Sequence, residues 1–233
     1  MKNLTTLLLA CLPLAAAAQL QTDTYETSAG KVDITPIGHG SLMIAFQGKV
    51  IHVDPYSSAG DYSEYPKADL VLITHEHGDH FDRYALETIC TPKTEIISNK
   101  TVADLYAKVD VYMDNGDVYG WEDIQINAVP AYNILHVKEN DEPYHPKGVG
   151  NGYVLTFGDF VLYIAGDTEP IPEMAELENI DVAFLPKNLP YTMSDEQFVE
   201  AARTIKPKVL YPYHYIQIDK AALRAQLPGI EIK

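Results

Sequence analysis

The segment THEHGDH, residues 74–80, gathers three histidines and two carboxylates at nearly adjacent positions. It follows the apolar run LVLI, which predicts a buried strand. Because side chains alternate along an extended backbone, His75 and His77 should point to one side and Glu76 to the other. The two imidazoles can therefore bind one cation.

A second cation position follows in the same segment. Gly78 permits a sharp bend, which can bring Asp79 and His80 beside the first two histidines. Imidazole nitrogens and carboxylate oxygens suit zinc, iron or manganese, and the lack of thiolates argues against a closed structural zinc site. An accidental polar loop is the plainer reading, but polar groups gathered at a strand end need partners, which favours metal chemistry.

Short apolar strands, with helical patterns between them, surround this segment. The predicted strands of the first half read KVDITPI, SLMIAFQ, KVIHVDP, DLVLIT and TEIIS, followed by the helix TVADLYAKV. The second half contains the strands DIQINAVPA, GYVLTFG, FVLYIAGDT, DVAFLP and KVLYPYHY, and the helices PEMAELE, SDEQFVEAARTI and DKAALRAQL. This pattern predicts an α/β fold of two sheets packed face to face with helices outside.

Two further polar residues emerge at the ends of predicted strands. Asp167 follows the apolar run FVLYIA and Gly166, and His214 follows KVLYPY. A long loop over residues 134–151 is rich in Pro, Gly, Tyr and charge, and loops of that length in a compact domain are often functional. We expect it to form part of the rim of a site.

The first 18 residues have the three-part pattern of a secretory signal peptide: one lysine, an apolar run and small residues ending at Ala18. Residues 19–233 then form a single domain. The apolar run is shorter than the ~20 residues that span a bilayer, and no later segment qualifies. The sequence predicts an exported protein, periplasmic or secreted, without a transmembrane segment. Residues 8–11, ending in Cys11, offer a lipoprotein cleavage box as the weaker alternative, because Leu9 fits it poorly.

The formal net charge is −16, and no cluster of lysine and arginine is present. Phosphate backbones require a basic surface, so this composition argues against nucleic acid as a partner. A small-molecule substrate is the expected partner. The sequence gives no signal for a particular oligomeric state.

The segment THEHGDH resembles the H-x-H-x-D-H signature of the metallo-β-lactamase superfamily. Other landmarks of the superfamily match in order between Gly38 and Tyr215: GHGSLMI and VDP before this segment, and IAGDT and YPYHY after it. Within the superfamily, the chain is similar to the branch that contains L-ascorbate-6-phosphate lactonases and N-acyl-phosphatidylethanolamine-hydrolysing phospholipase D-like enzymes. Two segments carry this similarity, GHGSLMIAFQGKVIHVDPY and LPYTMSDEQFVEAARTIKPKVLYPYHY. The resemblance implies a four-layer αββα sandwich that holds two divalent metal ions, zinc foremost, with manganese or iron as alternatives.

The resemblance also implies a ligand for each position that matches the motifs. His75 and His77 would bind the first ion, and Asp79 and His80 the second. Two more ligands come from the later motifs, with Asp167 bridging the ions and His214 completing the second site.

The third histidine of the first ion departs from the simplest family pattern. That pattern places a histidine just after the strand ending near Ala131, where this chain has Asn133. The candidates are His136 and His145. We favour His145, because Pro146 biases it to an extended conformation and the glycines that follow lead into the next strand.

Four residues are weaker candidates for supporting the metal ligands or touching substrate. Asp54, at the end of KVIHVD, could accept a hydrogen bond from a ligand histidine, and it could equally be a turn residue. His39 resembles a residue that lines the site in this branch, although backbone contacts could also account for it. Asn188 and Tyr191 lie in LPKNLPYTM and are candidates for substrate contact.

Two neighbouring cations favour hydrolysis as the reaction class. They would share a water, lower its pKa and hold the resulting bridging hydroxide, which Asp79 and Asp167 could orient as catalytic carboxylates. The scissile bond could be an ester, lactone, amide or phosphoester. The alternative is a non-catalytic metal-binding or envelope interaction protein that keeps the fold, and metal-dependent turnover distinguishes the two.

Overall fold

Two seven-stranded sheets form the centre of the fold in the computed structural model, which describes residues 20–233. The first sheet contains β1 (Asp23–Thr27), β2 (Gly30–Gly38), β3 (Ser41–Phe46), β4 (Lys49–Val53), β5 (Leu70–Leu72), β6 (Glu95–Ser98) and β7 (Val111–Tyr112). The second contains β8 (Val118–Trp121), β9 (Ile124–Ala131), β10 (Gly150–Phe157), β11 (Phe160–Ile164), β12 (Val182–Pro186), β13 (Val209–Tyr213) and β14 (Glu231–Ile232).

Each sheet is half antiparallel and half parallel. Strands β1 to β4 form an antiparallel meander, and β4 to β7 run parallel. The second sheet repeats this arrangement, with β8 to β11 antiparallel and β11 to β14 parallel. Parallel strands end at the same edge of a sheet, so the segments that follow β4, β5, β11 and β13 emerge together.

The helices cover the outer faces of the sheets. They are α1 (Arg83–Ile89), α2 (Lys100–Leu105), a 3₁₀ helix (Pro172–Glu176), α3 (Asp195–Ile205) and α4 (Lys220–Gln226). One apolar cluster lies between the sheets, a second lies between the first sheet and α1 and α2, and a third lies between the second sheet and the remaining helices. The predicted four-layer αββα sandwich is confirmed.

Aromatic side chains join the two sheets. Phe46 of the first sheet meets Phe157 of the second edge to face, with ring centroids 5.0 Å apart. Both rings are almost fully buried, and burial of such a side chain contributes about 1.5–3 kcal/mol. The packed centre fixes the two sheets relative to each other, and hence the two halves of the site at their edge.

Some elements differ from the sequence predictions. The strand predicted over DLVLIT covers only Leu70–Leu72, because the backbone N–H of Thr74 leaves the sheet and donates to the carboxylate of Asp54 at 2.8 Å. The predicted helix PEMAELE is a 3₁₀ helix that begins with Pro172. The helix predicted over TVADLYAKV ends early, at Leu105.

No helix within residues 20–233 combines the length and the apolar composition needed to cross a bilayer. The predicted signal peptide, residues 1–18, lies outside the described residues.

A serine followed three residues later by a glutamine, as in Ser194 and Gln197, predicts a capping box at the start of the helix SDEQFVEAARTI, and α3 begins with one. The Gln197 N–H donates to Ser194 Oγ at 3.2 Å, and the Ser194 N–H donates to Gln197 Oε1 at 2.9 Å. Ser194→Ala should lower the free energy of unfolding by about 1 kcal/mol, because a helix N–H loses its acceptor. Urea denaturation at fixed metal concentration measures this, and Glu200→Ala, an exposed site on the same helix, should change it by less than about 0.5 kcal/mol. Equal effects of the two changes would contradict a stabilising role for the cap.

Candidate metal centre

The candidate site lies at the edge where the parallel strands end. Asp54 directly follows β4, and His75 comes three residues after β5. In the second sheet, Asp167 comes three residues after β11, and His214 directly follows β13. The His214 N–H donates to the carbonyl oxygen of His39 at 2.8 Å, which joins the edges of the two sheets.

Three histidines form the first group of ligand-type atoms. His77 Nδ1 lies 3.1 Å from His75 Nε2 and 3.2 Å from His145 Nε2. The three nitrogens all lie within 4.8 Å of one another. His75 and His145 are buried and His77 is partly exposed, so the group faces an opening.

The hydrogen bonds behind these rings determine which nitrogen is free. Thr74 Oγ1 donates to the Asp54 carboxylate at 2.6 Å, so it accepts from His75 Nδ1, which lies 3.0 Å away. Asn133 Oδ1 accepts the backbone N–H of His145 at 2.8 Å and lies 2.7 Å from His145 Nδ1. Both Nδ1 atoms therefore carry the proton, and both Nε2 lone pairs face His77.

The second group combines Asp79, His80, His214 and His39. Asp79 Oδ2 lies 2.7 Å from His39 Nε2, 3.4 Å from His214 Nε2 and 3.8 Å from His80 Nε2. His80 and His214 are buried, while Asp79 and His39 reach the surface. This group faces the same opening as the first.

Asp54 holds His80 from behind. Its Oδ2 lies 2.7 Å from His80 Nδ1, and its two oxygens also accept the N–H and the hydroxyl of Thr74. A carboxylate only accepts, so His80 Nδ1 donates and Nε2 faces the site. Asp54 is fully buried, and Gly40 leaves room for the His80 ring, because a Cβ at Gly40 would lie 2.7 Å from His80 Cε1.

Asp167 lies between the two groups. Its Oδ2 lies 3.4 Å from His145 Nε2 and 3.2 Å from His214 Nε2, and its Oδ1 lies 3.4 Å from His80 Nε2. Gly166 directs the side chain there: it has φ +65°, and a Cβ would lie 2.7 Å from the carbonyl oxygen of Asn151. Only glycine fits such a turn.

The unpaired polar atoms of this site fit a bound cation. Across residues 20–233, four buried side-chain polar atoms lack a hydrogen-bond partner: His80 Nε2, His214 Nε2, Asp167 Oδ1 and His52 Nδ1. The first three face one another across the candidate site. Buried polar groups are nearly always paired, so three unpaired atoms in one place point to a shared ligand.

The electrostatics of the site also suit cations. Burial holds the pKa of His145 down at about 4, and burial together with the nearby His80 holds the pKa of His75 well below its usual value. Burial alone would raise the pKa of Asp167, but His214 and His80 hold it well below the usual range. Neutral imidazoles and an ionised carboxylate are the states that bind metal.

His80 behaves differently, because two carboxylates face it. Burial would lower its pKa, but Asp167 and Asp54 raise the pKa well above the usual value. A cation that binds His80 Nε2 must therefore displace a proton.

Of the two candidates for the third histidine, the structure brings His145 to His75 and His77 and turns His136 elsewhere. His136 Nδ1 lies 2.7 Å from the carbonyl oxygen of Thr192 and 2.9 Å from Glu169 Oε1. Asn133, close to where the resemblance to the family predicts a histidine, contacts His145 through its Oδ1 and so supports that ring.

Glu169 is a buried residue that the sequence interpretation missed. Its carboxylate accepts the backbone N–H groups of Ile134, Leu135 and His136, at 3.1, 2.8 and 2.7 Å, and the side-chain amide of Asn133 at 3.1 Å. Glu169 thus fixes the start of the long loop and, through Asn133, the ring of His145. Its position two residues after Asp167 was the only signal available in the sequence.

The remaining predicted residues lie at or near the opening. Asn188 Nδ2 lies 3.5 Å from His214 Nδ1. Tyr191 is 45% exposed and meets Tyr144 edge to face, with ring centroids 5.0 Å apart. His52, which alternates with apolar residues on β4, is buried away from the site with Nε2 3.1 Å from the carbonyl oxygen of Pro66.

The amino-acid sequence and the fold were compared with known proteins. A model of the beta-lactamase superfamily domain matches residues 33–214. A metal-dependent hydrolase from Nanoarchaeum equitans is 32% identical over 184 residues, which cover 77% of this chain and 81% of the relative.

Two solved structures share the fold. One is a protein from Parabacteroides distasonis assigned as a metal-dependent hydrolase, with 45% identity and a TM-score of 0.87 over 92% of this chain and 98% of that one. The other is Igni18, a metallo hydrolase from Ignicoccus hospitalis, with 24% identity and a TM-score of 0.70 over 87% of this chain and 94% of that one. The second likeness shows the fold alone.

Replacing His145 should weaken metal binding far more than replacing His136. His145→Ala removes a nitrogen from the first group, so its effect should exceed the roughly 10–100-fold loss expected for removing an outer hydrogen-bond partner. His136→Ala should leave metal affinity unchanged, because its ring faces Thr192 and Glu169. Competition with a chromogenic chelator measures both affinities, and the reverse ranking would contradict the role given to His145.

Proposed function

The chain belongs to the metallo-β-lactamase superfamily and is a metal-dependent hydrolase, and from this premise we propose that it works with two neighbouring divalent cations. His75, His77 and His145 would hold the first cation. Asp79, His80 and His214 would hold the second, with Asp167 shared between them. Zinc fits this nitrogen and oxygen set, and manganese and iron are the alternatives.

The position of Asp167 is the observation that carries this proposal. Its Oδ2 lies 3.4 Å from a nitrogen of the first group, His145 Nε2, and its Oδ1 lies 3.4 Å from a nitrogen of the second, His80 Nε2. The carboxylate is 4% exposed. A single ion would leave one set of converging buried nitrogens without a partner, which is costly in a protein interior.

The bound cations would lower the pKa of a shared water and polarise the carbonyl or phosphoryl oxygen of the substrate. Residues of the protein hold the ligand side chains in position. Asp54, Thr74 and Asn133 fix the ring protons of the histidines, and His39 holds Asp79 Oδ2 at 2.7 Å. Asp79 and Asp167 are the carboxylates that can accept a hydrogen bond from the attacking water and orient it.

The substrate would be a small ester, lactone, amide or phosphoester. The opening at Asp79, His39 and His77 admits it, since these three side chains reach the surface while the other ligand-type residues are buried. The reacting bond would lie across Asp167, where both groups can act on it.

Metal stoichiometry tests the two-cation arrangement. The wild-type chain should bind two equivalents of zinc or manganese, and His77→Ala and His214→Ala should each bind one. Asp167→Ala should weaken both sites, because its carboxylate is shared. Elemental analysis after dialysis, together with calorimetric titration, measures these values, and all three variants should lose turnover of chromogenic ester, lactone and phosphodiester substrates.

His136→Ala is the matched control for metal content and should keep two equivalents, because its ring faces Thr192 and Glu169 rather than the ligand nitrogens. Circular dichroism checks that each variant is folded. One equivalent in the wild-type chain would refute the two-cation arrangement, and full turnover in both His77→Ala and Asp167→Ala would refute the site.

We also propose export of the chain, on the composition of its first 18 residues. Cleavage after Ala18 would give a mature chain that begins at Gln19, without a lipid anchor. Cell fractionation followed by mass spectrometry of the purified protein measures the compartment and the N-terminus. Recovery of an intact N-terminus beginning at Met1 in the cytoplasm would contradict this proposal, and a lipid-modified Cys11 would favour the lipoprotein alternative.

A further inference from the structure

Large exposed apolar side chains are concentrated around the candidate metal centre. Within residues 20–233, eleven large hydrophobic residues are exposed, and seven of them lie in three short segments beside the site: Ile134, Leu135, Val137, Leu189, Tyr191, Tyr215 and Ile216. Ile216 is 84% exposed and Leu135 is 71% exposed. Single exposed apolar residues are ordinary, but a concentrated group at a site has a function.

Each of the three segments begins next to a residue of the site. Ile134 follows Asn133, which supports His145, and Tyr215 follows His214. Leu189 follows Asn188, which lies 3.5 Å from the His214 ring. We call these segments, residues 134–137, 189–191 and 215–216, the apolar rim.

Hydrogen bonds hold the three segments against one another. The Asn133 side-chain amide donates to the carbonyl oxygen of Tyr191 at 2.9 Å, and His136 Nδ1 lies 2.7 Å from that of Thr192. On the other side, the Lys187 N–H donates to the carbonyl oxygen of Tyr213 at 3.1 Å. These bonds, made by rim residues or by residues that flank the segments, hold the three segments near one another beside the site.

A cleft borders one part of this surface. Leu189, Met193 and Ile216 form the apolar part of its lining, and the remaining lining residues are polar or charged: Lys187, Asn188, Ser194, Asp195, Glu196 and Gln217. Its volume is about 380 Å³. This is within the range of pockets that bind small molecules, about 300–1,000 Å³. Asn188, which lines the cleft, also lies 3.5 Å from the His214 ring.

The charges around the apolar rim disfavour an anionic occupant. Five exposed acids flank it on the long loop and at the start of α3, Glu139, Asp141, Glu142, Asp195 and Glu196, against one exposed lysine between residues 134 and 142 of the loop, Lys138. Lys187, the cation in the cleft wall, is paired with Asp195 Oδ1 at 2.5 Å. The formal net charge of −16 adds a repulsive field for anions.

We propose, building on the function proposed above, that the apolar rim binds an uncharged apolar chain attached to the scissile group of the substrate. The substrate class is then a neutral ester, lactone or amide with an acyl or alkyl chain, in preference to a phosphoester. The apolar chain of the substrate lies over the exposed apolar side chains of the rim, among them Leu135 and Ile216, while the reacting group lies at Asp167. The apolar rim sets substrate specificity, and the metal ligands set the reaction.

Binding of straight-chain alkyl hydroxamates tests this proposal separately from catalysis. The hydroxamate group ligates metal and the chain extends outward, so calorimetry on the metal-loaded protein reports both parts. A fully buried methylene tightens binding by about fourfold, and on an open rim we expect about twofold for each one. Octanoyl hydroxamate, with six more methylenes, should then bind roughly 60-fold more tightly than acetohydroxamate.

Two matched pairs sharpen the test. The double variant Leu135→Ser/Ile216→Ser should lose most of the chain-length dependence and keep its metal content, whereas Leu105→Ser/Val118→Ser, exposed apolar sites on other elements, should keep the dependence. An eight-carbon chain that ends in a carboxylate should bind at least about tenfold more weakly than octanoyl hydroxamate, because the charge enters an acidic, apolar surface.

The outcomes separate this proposal from the one on which it rests. Metal-dependent binding without chain-length dependence would overturn the apolar rim as a substrate surface and leave the metal centre intact. Chain-length dependence without metal dependence would support the rim and refute the centre. Self-association in sedimentation velocity that the Leu135→Ser/Ile216→Ser variant abolishes, with no chain-length dependence, would overturn the proposal in favour of a second copy of the chain on this surface.

Discussion

A buried carboxylate surrounded by imidazole nitrogens is the interaction on which the rest of this structure depends. Asp167 is 4% exposed and faces nitrogens of His145, His214 and His80 at 3.2–3.4 Å. Such a group is stable in a protein interior only when its charge is balanced and its partners are fixed. The two-sheet architecture supplies the fixed partners, because parallel strands from both sheets end at this point.

Several ligand-type residues depend on backbone conformations that the local sequence does not favour. His39, Asp54 and His214 all have positive φ, at 51°, 44° and 54°. Non-glycine residues in this region carry strain of about 1–3 kcal/mol, and such residues cluster at functional sites. The neighbouring contacts impose the strain here, since the His214 N–H donates to the His39 carbonyl oxygen and Asp54 accepts from His80.

The sequence predicted the layers and most strands because the apolar periods are strong. The antiparallel pairing of β2, β3 and β4 is one example, and the capping box at Ser194 is another. It did not predict β1, β7, β8, β14 or α1. Helix α1 begins directly after the metal-binding segment, and its cap Asp82 also accepts the Ser57 N–H at 2.8 Å. A helix of seven residues makes only about two turns, which is too few for a repeating apolar pattern to stand out from a polar loop.

The residues of the candidate site also comprise some that the sequence predicted and others that it did not. The sequence identified His75, His77, Asp79 and His80 because they are adjacent, and the resemblance to the family added Asp167 and His214. The residues that hold them were harder to find. Glu169 accepts four hydrogen bonds from residues 33 to 36 positions earlier in the chain. A contact of that separation leaves no periodic signal, so only the folded chain shows it.

In the proposed first site, His145 takes the place of the histidine that the family pattern puts earlier in the chain, and Asn133 supports it. Asn133 cannot ligate as a histidine does, but its Oδ1 lies 2.7 Å from His145 Nδ1 and fixes that ring. Glu169 in turn holds the Asn133 amide and three N–H groups at the start of the loop that carries the apolar rim. The same buried carboxylate therefore connects the third histidine of the first group with the surface that faces the substrate. A change at Glu169 or Asn133 would alter metal affinity and substrate preference together, whereas a change at Asp54, which supports His80 on the other sheet, would alter metal affinity alone.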